Sequence, residues 1–201
     1  MTGRQQAQNP VILTWQRVES PSLESVRVLF TGGRLRAYGR IVAAANQVTG
    51  TQAFSASFGA SVERAETAGR VLFRTTTAEE ELQMSLSRSE DGVWLIDHGD
   101  GTQQRGSFGG AVDMDVAGAV TFNALPIRRL GLHREPGEHE LPVLFVSLPN
   151  LSVRLVRQTY RTVSIDEHGA VINYLDADLG TDLVVDRDGM VVDFPGRAHR
   201  I

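Results

Sequence analysis

The sequence predicts a mainly β protein built on an antiparallel sheet, and three patterns lead to this prediction. Apolar and polar residues alternate with period two in many short segments, which is typical of strands with one buried face. Turn-forming residues, above all Gly and Asp, separate these segments at the intervals expected of antiparallel hairpins. Helical periodicity over more than a few residues is scarce.

Strand segments follow one another along most of the chain. Alternation is clear in residues 11–15, 35–41, 54–60, 71–75 and 82–86. Hairpin turns with a glycine are predicted at residues 90–92 and 186–189. With residues 171–175 as a further short strand, the sequence indicates about ten to thirteen strands.

Four segments need a choice between structures. Residues 22–30 fit either a helix or a strand, and the glycine- and serine-rich residues 99–110 are predicted to be a loop. In the strand from residue 153, the face carrying Val153, Leu155 and Arg157 is predicted to point inward. The best helix candidate is 121–132. The residues expected to define that helix are Asn123 as its cap, Pro126 in its first turn and Gly131 at its end.

The composition excludes several kinds of chemistry. All 20 basic residues are arginine, and cysteine is absent. Without lysine the chain has no Schiff-base chemistry and no Walker-type phosphate loop. Without cysteine it has no disulfide, thiol nucleophile, iron–sulfur cluster or thiolate zinc site. The arginine bias is best explained by a GC-rich genome. A net charge of −4 without a basic block predicts poor nucleic-acid binding and no obvious attraction to anionic membranes.

Length and segment composition favour one domain. We expect residues 10–201 to form it and the polar residues 1–9 to be disordered. The N-terminus lacks the apolar stretch of a secretory signal, and no apolar run approaches 18 residues. A cytoplasmic protein without a transmembrane segment is therefore predicted.

Metal, cofactor and serine-hydrolase motifs are not found. The five histidines form no metal-ligand pair and are expected to be solvated in loops. Asp186-x-Asp188-Gly189 resembles part of a calcium loop, but no glutamate follows at the twelfth position. There is no G-x-S-x-G elbow and no G-x-G-x-x-G in a βαβ context. The sequence therefore predicts neither a metal site nor a cofactor.

Two aspartates and two arginines are the strongest candidates for a site. Asp113 and Asp115 lie two apart on a strand whose other residues are apolar, so both carboxylates share one face. Arg128 and Arg129 follow among apolar neighbours, where arginine usually has a carboxylate partner. The aspartates could face solvent and form a structural ion pair. They could also line an acidic pocket that binds ligand hydroxyls, or act as general acid and base.

At these residues the chain resembles a bacterial family of "putative glycolipid-binding" proteins, formerly a domain of unknown function. Thr121-Phe-Asn-Ala-Leu-Pro-Ile-Arg-Arg-Leu130 resembles the family signature T-N-T-L-P-I-R-R-L. Gly92-Val-Trp-Leu-Ile-Asp97 and Val112-Asp-Met-Asp-Val116 resemble its G-x-W and D-x-D strands. Similar blocks occur at 145–160 and 188–196, and Trp15 matches an early family tryptophan.

The resemblance implies a strongly curved antiparallel sheet, a β-roll or partial barrel, wrapped around one short helix. It also implies a homodimer and an acidic ligand pocket, in an architecture distantly similar to bacterial lipoprotein carriers. The positions that it assigns to the pocket or its support are Asp113, Asp115, Asn123, Arg128, Arg129 and Asp193.

The chain departs from the family pattern in two places. Arg197-Ala198 stands where the family tends to have Leu-Trp, and a tryptophan expected between residues 60 and 70 is missing. With only Trp15 and Trp94 left, an aromatic platform for stacking sugars is not expected.

Three functions remain open from the sequence. The first is a non-enzymatic binding protein for a glycolipid or similar amphiphile, whose aspartates accept hydrogen bonds from hydroxyl groups. The second is a hydrolase that cleaves a glycosidic or ester bond through the paired aspartates. The third is a structural or regulatory dimer whose interior is filled by its own side chains.

Overall fold

A computed structural model describes residues 9–31, 34–48, 50–62 and 69–201. Their strands form one sheet, in which all neighbouring pairs are antiparallel except one. The strands are β1 (Val11–Arg17), β2 (Ser22–Thr31), β3 (Arg34–Ala43), β4 (Phe54–Val62), β5 (Arg70–Thr76), β6 (Glu81–Arg88), β7 (Trp94–Asp97), β8 (Gln103–Gly106), β9 (Asp113–Val116), β10 (Glu138–Val146), β11 (Val153–Ile165), β12 (Gly169–Leu175), β13 (Gly180–Asp186), β14 (Val191–Phe194) and β15 (Ala198–Arg200).

The strand order is β8-β7-β6-β5-β4-β3-β2-β1-β15-β14-β13-β12-β11-β10-β9. The two halves of the chain meet where β1 pairs with β15, and β9 joins β10 in parallel. Because β8 and β9 lie at opposite ends of this order, the large curved sheet is not closed into a barrel. This confirms the predicted mainly β fold with a strongly curved antiparallel sheet.

Period-two sequences form the strands because one face of the sheet is buried. In β2, β3 and β5 nearly every second residue is buried and its neighbours are exposed. Residues 22–30 are therefore a strand, not a helix. The hairpin turns at 90–92 and 186–189 are confirmed, and their glycines, Gly92 and Gly189, have φ of 83° and 73°.

The helix lies in the concave interior of the sheet. A 3-10 turn (Val120–Asn123) leads into α1 (Ala124–Arg129), which is shorter than the predicted 121–132. Phe122 packs against the rings of Phe58 and Phe73, at centroid distances of 5.0 and 6.1 Å. Gly131, with φ of 71°, follows the helix as predicted.

Two sequence interpretations are wrong. The predicted loop 99–110 contains β8 and a 3-10 turn, because its polar residues 103–106 extend the sheet edge beside β7. The inward face of β11 carries Gln158 and Tyr160, whereas Leu155 on the opposite face is 46% exposed. Gln158 can be buried because its amide finds partners inside the protein.

Two further predictions stay untested. Residues 1–8 of the predicted disordered segment lie outside the described residues, and so does most of the region 60–70, where the family tryptophan was expected. One domain from residue 10 remains a prediction. Among the described residues, no helix has the length and apolarity needed to cross a bilayer.

Candidate ligand-binding cavity

A cavity of about 1110 Å³ opens between the two halves of the sheet. The β9–α1 connection forms its inner wall, and the β11–β12 strands and the ends of β1, β3 and β4 form its other walls. At the rim it reaches solvent, where Val48 is 95% exposed. A water molecule occupies roughly 30 Å³ in the liquid. This space, equivalent to many water molecules, is therefore not filled by the protein's own side chains, as a purely structural or regulatory dimer would require.

Asp115 contributes a buried carboxylate to the cavity wall. The Val116 backbone N–H donates to its Oδ1 at 2.7 Å, and Gln158 Nε2 donates to its Oδ2 at 2.7 Å. The Tyr160 hydroxyl donates to Gln158 Oε1 at 3.0 Å and accepts from Asn123 Nδ2 at 3.1 Å. Asn123, Tyr160, Gln158 and Asp115 are therefore one hydrogen-bonded chain that ends on a carboxylate.

Burial raises the pKa of Asp115 from its ordinary 3.8 to about 6. The hydrogen bonds from Gln158 and Val116 lower this pKa, but they do not outweigh the loss of hydration. Asp176 raises the pKa further, while Arg197 lowers it. Asp115 is thus an anion at neutral pH without a cation in direct contact among the described residues.

Asp113 has a different role from Asp115 although the two share one face of β9. Arg129 Nε and Nη2 donate to the Asp113 carboxylate, with Nη2 at 2.6 Å from Oδ2. The Asp113 side chain is only 6% exposed, and it does not border the cavity. This bidentate ion pair ties α1 to β9 and so holds the wall on which Asp115 stands.

Asn123 borders the cavity, but it does not cap the helix as predicted. Its backbone already has helical angles because the 3-10 turn runs into α1, and its side chain makes no capping bond. The amide donates to Tyr160 instead. A cap would need extended backbone at this residue.

Arg128 and Asp193 lie away from the cavity. The Arg128 guanidinium stacks on the Phe30 ring at 3.7 Å from its centroid and donates to the Asp188 carbonyl. Burial lowers the pKa of Arg128 to about 10. Asp193 is half-buried on β14, opposite His199 on β15. Of the six predicted site residues, Asp115 and Asn123 therefore border the cavity and Asp113 and Arg129 support its wall.

Several polar residues near the cavity were not predicted. Gln158 and Tyr160 escape prediction because the alternation in β11 favours the opposite face as the inner one. Glu24 is 1% exposed and accepts hydrogen bonds from the backbone N–H groups of Val120 and Thr121, where the 3-10 turn begins. Burial raises the pKa of Glu24 to about 7. Glu24 lies in register with the apolar residues Val26, Val28 and Phe30, which occupy every second position of β2. This alternation in the sequence indicates that the carboxylate points inward.

Four arginines also border the cavity: Arg17, Arg154, Arg157 and Arg197. Arg17 stands at the end of β1, and Arg197 precedes β15, where the Val18 N–H donates to the Arg197 carbonyl at 2.9 Å. Burial and the neighbouring Arg197 lower the pKa of Arg17. The Arg17 Nε is buried and has no hydrogen-bond acceptor within the described part of the chain. Arg17 therefore carries one donor that no acceptor in the described part of the chain satisfies.

The far wall is formed by Tyr174 and the turn after it. The Tyr174 hydroxyl donates to Asp176 Oδ2 at 2.7 Å, and burial raises the pKa of Tyr174 above its ordinary value. Its ring stands edge-on to Tyr160 at 5.2 Å. Both tryptophans lie in the core, and each donates its indole N–H to a backbone carbonyl, so neither offers a stacking surface.

Metal-ligand geometry is not found in the described ranges. No three side chains of the metal-binding types come together there. His133 is 5% exposed and accordingly not a solvated loop residue as expected. Its ring lies in the turn after α1, with Nδ1 at 3.4 Å from the Ile127 carbonyl.

Comparison with known proteins places the chain in a family. Its fold is similar to that of a DUF1089 family protein from Pseudomonas aeruginosa, with 24% identity, 92% of this chain and 95% of that chain covered, and a TM-score of 0.71. A beta-barrel-like protein of the domain of unknown function DUF1849 from Brucella abortus is 10% identical, with coverage of 96% and 94% and a TM-score of 0.51. No curated protein matches the chain. The family model described as "Putative glycolipid-binding" matches residues 12–200. Because this match spans almost the whole chain, the protein belongs to that family.

Proposed function

We propose that the protein binds a glycolipid or a similar amphiphile in the cavity and does not catalyse a reaction. The observation that carries this proposal is a cavity of about 1110 Å³ whose lining combines apolar side chains with charged and polar ones, among them Asp115, Asn123 and Arg197. Ligand pockets of roughly 300–1,000 Å³ bind small molecules, so this cavity can hold a sugar head group together with part of a lipid chain.

The polar wall suits a head group rich in hydroxyls. An ionised carboxylate has about four acceptor positions, of which Asp115 uses two for Val116 and Gln158. The remaining positions can accept hydrogen bonds from a sugar. Arg17 and Arg197 supply donors at the same cavity.

The apolar part of the wall suits an alkyl chain. It consists mainly of side chains from β4, β10, β11 and β12 and of the β10–β11 turn. These residues are Phe54, Phe145, Leu148, Val156 and Leu175. Burial of one methylene contributes about 0.8 kcal/mol, so each added methylene should tighten binding about fourfold.

Alkyl glycosides of increasing chain length test both halves of the cavity. We expect the dissociation constant, measured by calorimetry below the micellar concentration, to fall about fourfold for each methylene within the cavity. The free sugar and an alkanol of equal length should each bind more weakly than the glycoside. An affinity that does not depend on chain length, or on the sugar, would contradict the proposal.

A matched pair of variants on β3 locates the binding. Ala43 lines the cavity, whereas Val42, its neighbour, is 51% exposed on the other face of the strand. Ala43→Trp should fill part of the cavity and abolish glycoside binding, and Val42→Trp should leave it unchanged. Equal effects of the two substitutions would place the ligand elsewhere.

The natural ligand can be sought by native mass spectrometry of protein purified from a bacterial host. We expect an additional mass that organic extraction removes and that the Ala43→Trp variant lacks. A lipid-free protein that also binds no glycolipid in a panel would refute the proposed function.

The hydrolase alternative has no specific support in the geometry. Asp113 is occupied by Arg129 and does not border the cavity, so the two aspartates do not form a pair around a bound substrate. A screen of chromogenic glycosides and esters decides between the two functions. Turnover that disappears in Asp115→Asn would establish an enzyme.

The homodimer and the cytoplasmic location remain proposals that rest on the family resemblance and on the sequence. Light scattering coupled to size-exclusion chromatography should give twice the mass of the 21.9 kDa chain. Fractionation of cells that express the tagged protein tests its location. A monomer in the first experiment, or a secreted protein in the second, would contradict the corresponding proposal.

A further inference from the structure

The outward face of β2–β5 gathers arginines that are scattered in the sequence. Every outward-pointing ionisable side chain of residues 22–31, 34–43, 54–62 and 70–76, tyrosine apart, is an arginine, and none is a carboxylate. We call this surface the arginine face. Its members are Arg27, Arg34, Arg36, Arg40, Arg70 and Arg74.

Strand register places these side chains around an apolar centre. Tyr38 on β3 and Leu72 on β5 flank Gly59 on β4, and the ring of Tyr38 lies over that glycine. Tyr38 is 59% exposed and Leu72 is 49% exposed. Adjacent strands are about 4.8 Å apart, so the two side chains stand roughly 10 Å from each other.

The arginines surround this centre in two parallel rows. Arg40 on β3 and Arg74 on β5 both pair with Ser57 on β4 and form one row. Arg36 and Arg70 both pair with Ser61 and form a second row, on the other side of Gly59. Arg27 lies across from Tyr38 on β2. These five guanidiniums are exposed, and none forms an ion pair within the described part of the chain.

The charge on this face is opposite to that of the remaining protein. Subtracting its six positive charges from the formal net charge of −4 leaves −10 for the rest of the chain. The neighbouring strands β6 and β7 mark the boundary with outward carboxylates, Glu81 and Asp97. Such an asymmetry orients the molecule in an electric field.

We propose that the arginine face docks on the surface of an anionic lipid bilayer. Phosphate groups of the lipids complement the guanidiniums, and each Arg near such a surface strengthens binding about fivefold. Tyr38 and Leu72 can enter the interface between head groups and acyl chains, where amphipathic aromatic and apolar residues are stabilised. A second copy of the chain does not fit the same face, since two such faces would bring together twelve like charges.

This surface is separate from the cavity. Inward-facing residues of the same strands, such as Ile41, border the cavity, while the arginine face points to the other side of the sheet. Docking therefore requires no occupied cavity and does not depend on the proposed function.

Vesicle sedimentation measures the docking. Wild-type protein should bind vesicles of equal parts phosphatidylcholine and phosphatidylglycerol, and not vesicles of phosphatidylcholine alone. Replacement of three arginines by glutamine should weaken the binding by a factor on the order of 100. These substitutions are Arg36→Gln, Arg40→Gln and Arg74→Gln. A control with equal charge loss outside β2–β5 should change it less than about threefold. The control substitutions are Arg105→Gln, Arg134→Gln and Arg161→Gln, all at exposed residues.

Two further measurements keep the proposal open to refutation. If the triple variant does not fold, wild type in about 1 M salt replaces it, since charges are then screened within about 3 Å and binding should be lost. Leu72→Gln removes apolar insertion without changing charge and should weaken vesicle binding about tenfold. Binding of duplex DNA is measured in the same buffer, because nucleic acid is the other polyanion that an arginine-rich surface could bind.

Binding of acidic vesicles that is lost in the triple variant, kept in the control and weakened by Leu72→Gln supports the proposal. No vesicle binding, equal binding to neutral vesicles, or persistence in high salt overturns it. Binding of DNA without binding of vesicles also overturns it and identifies the arginine face as a nucleic-acid surface.

Discussion

Replacement of Asp115 by asparagine should change how stability depends on pH. The carboxylate has a folded-state pKa of about 6 against an ordinary 3.8. Because the pKa is higher in the folded state than in the unfolded state, the protonated Asp115 carboxyl contributes to the free energy of unfolding. This contribution is fully present below pH 3.8 and is lost as the pH rises through about 6. At 1.36 kcal/mol for each pH unit, the loss amounts to about 3 kcal/mol.

The Asp115→Asn variant has no such titration. Its free energy of unfolding, minus that of the wild type, should therefore rise by about 2.5 kcal/mol between pH 4 and pH 7.5. The loss of an acceptor for Gln158 or Val116 shifts both ends of the curve by about 1 kcal/mol and leaves the slope unchanged. Glu24 titrates in both proteins; the Asp115 charge contributes a minor part of its raised pKa of about 7, so its titration moves slightly down in the variant.

Guanidinium unfolding at a series of pH values measures this difference. A parallel Asp115→Ala series controls for the packing of the asparagine and should show the same slope with a larger constant offset. A difference that changes by less than about 1 kcal/mol over the whole range would refute the argument that Asp115 is an ionised, buried carboxylate at neutral pH.

Three further predictions concern the structure around the cavity. Arg129→Met should lower the free energy of unfolding by about 3 kcal/mol at pH 7, because it leaves the buried Asp113 carboxylate unpaired; a loss below 1 kcal/mol in urea unfolding would mean that the pair is unimportant. Tyr160→Phe should cost about 1–3 kcal/mol in the same assay, because it breaks the hydrogen-bonded chain at its centre, and an unchanged stability would contradict the assigned bonds. Gly39→Ala should lower the melting temperature strongly, since its Cβ would stand 2.1 Å from the phenyl ring of Phe58. Gly59→Ala on the next strand is the control, because its Cβ meets its nearest atom at 3.5 Å and the melting temperature should change little. Equal effects of the two substitutions would show that the ring moves freely.

Most of the strands could be predicted because local alternation reports a buried face directly. Residues 22–30 and 82–88 are strands with one buried face, and the turn after the second contains Gly92 with φ of 83°. The sheet edge at 103–106 could not be predicted, since its four residues Gln103–Gly106 are all polar or small and are held by pairing with β7 alone. The hydropathy of a single strand does not show which other strand will pair with it.

The candidate site was predicted in part. The positions of Asp113 and Asp115 on one strand face follow from their spacing, but their separate roles do not, because Arg129 reaches only one of them. The sequence predicts Gln158 on the outer face, since polarity alone favours solvent for an amide. It is inside because a carboxylate and a hydroxyl from other strands satisfy it.

Four properties follow from the amino-acid sequence: the mainly β class, the hairpin turns, the chemistry that the absence of lysine and cysteine excludes, and the family resemblance through its ordered motifs. These properties depend on composition and on neighbours along the chain. Folding brings buried polar groups together across the cavity and gathers arginines from β2, β3 and β5 on one outward face. Strand register causes this difference, because residues tens of positions apart come within a few ångströms only when strands pair. The amino-acid order alone therefore reveals neither the partner of a carboxylate nor a charged surface.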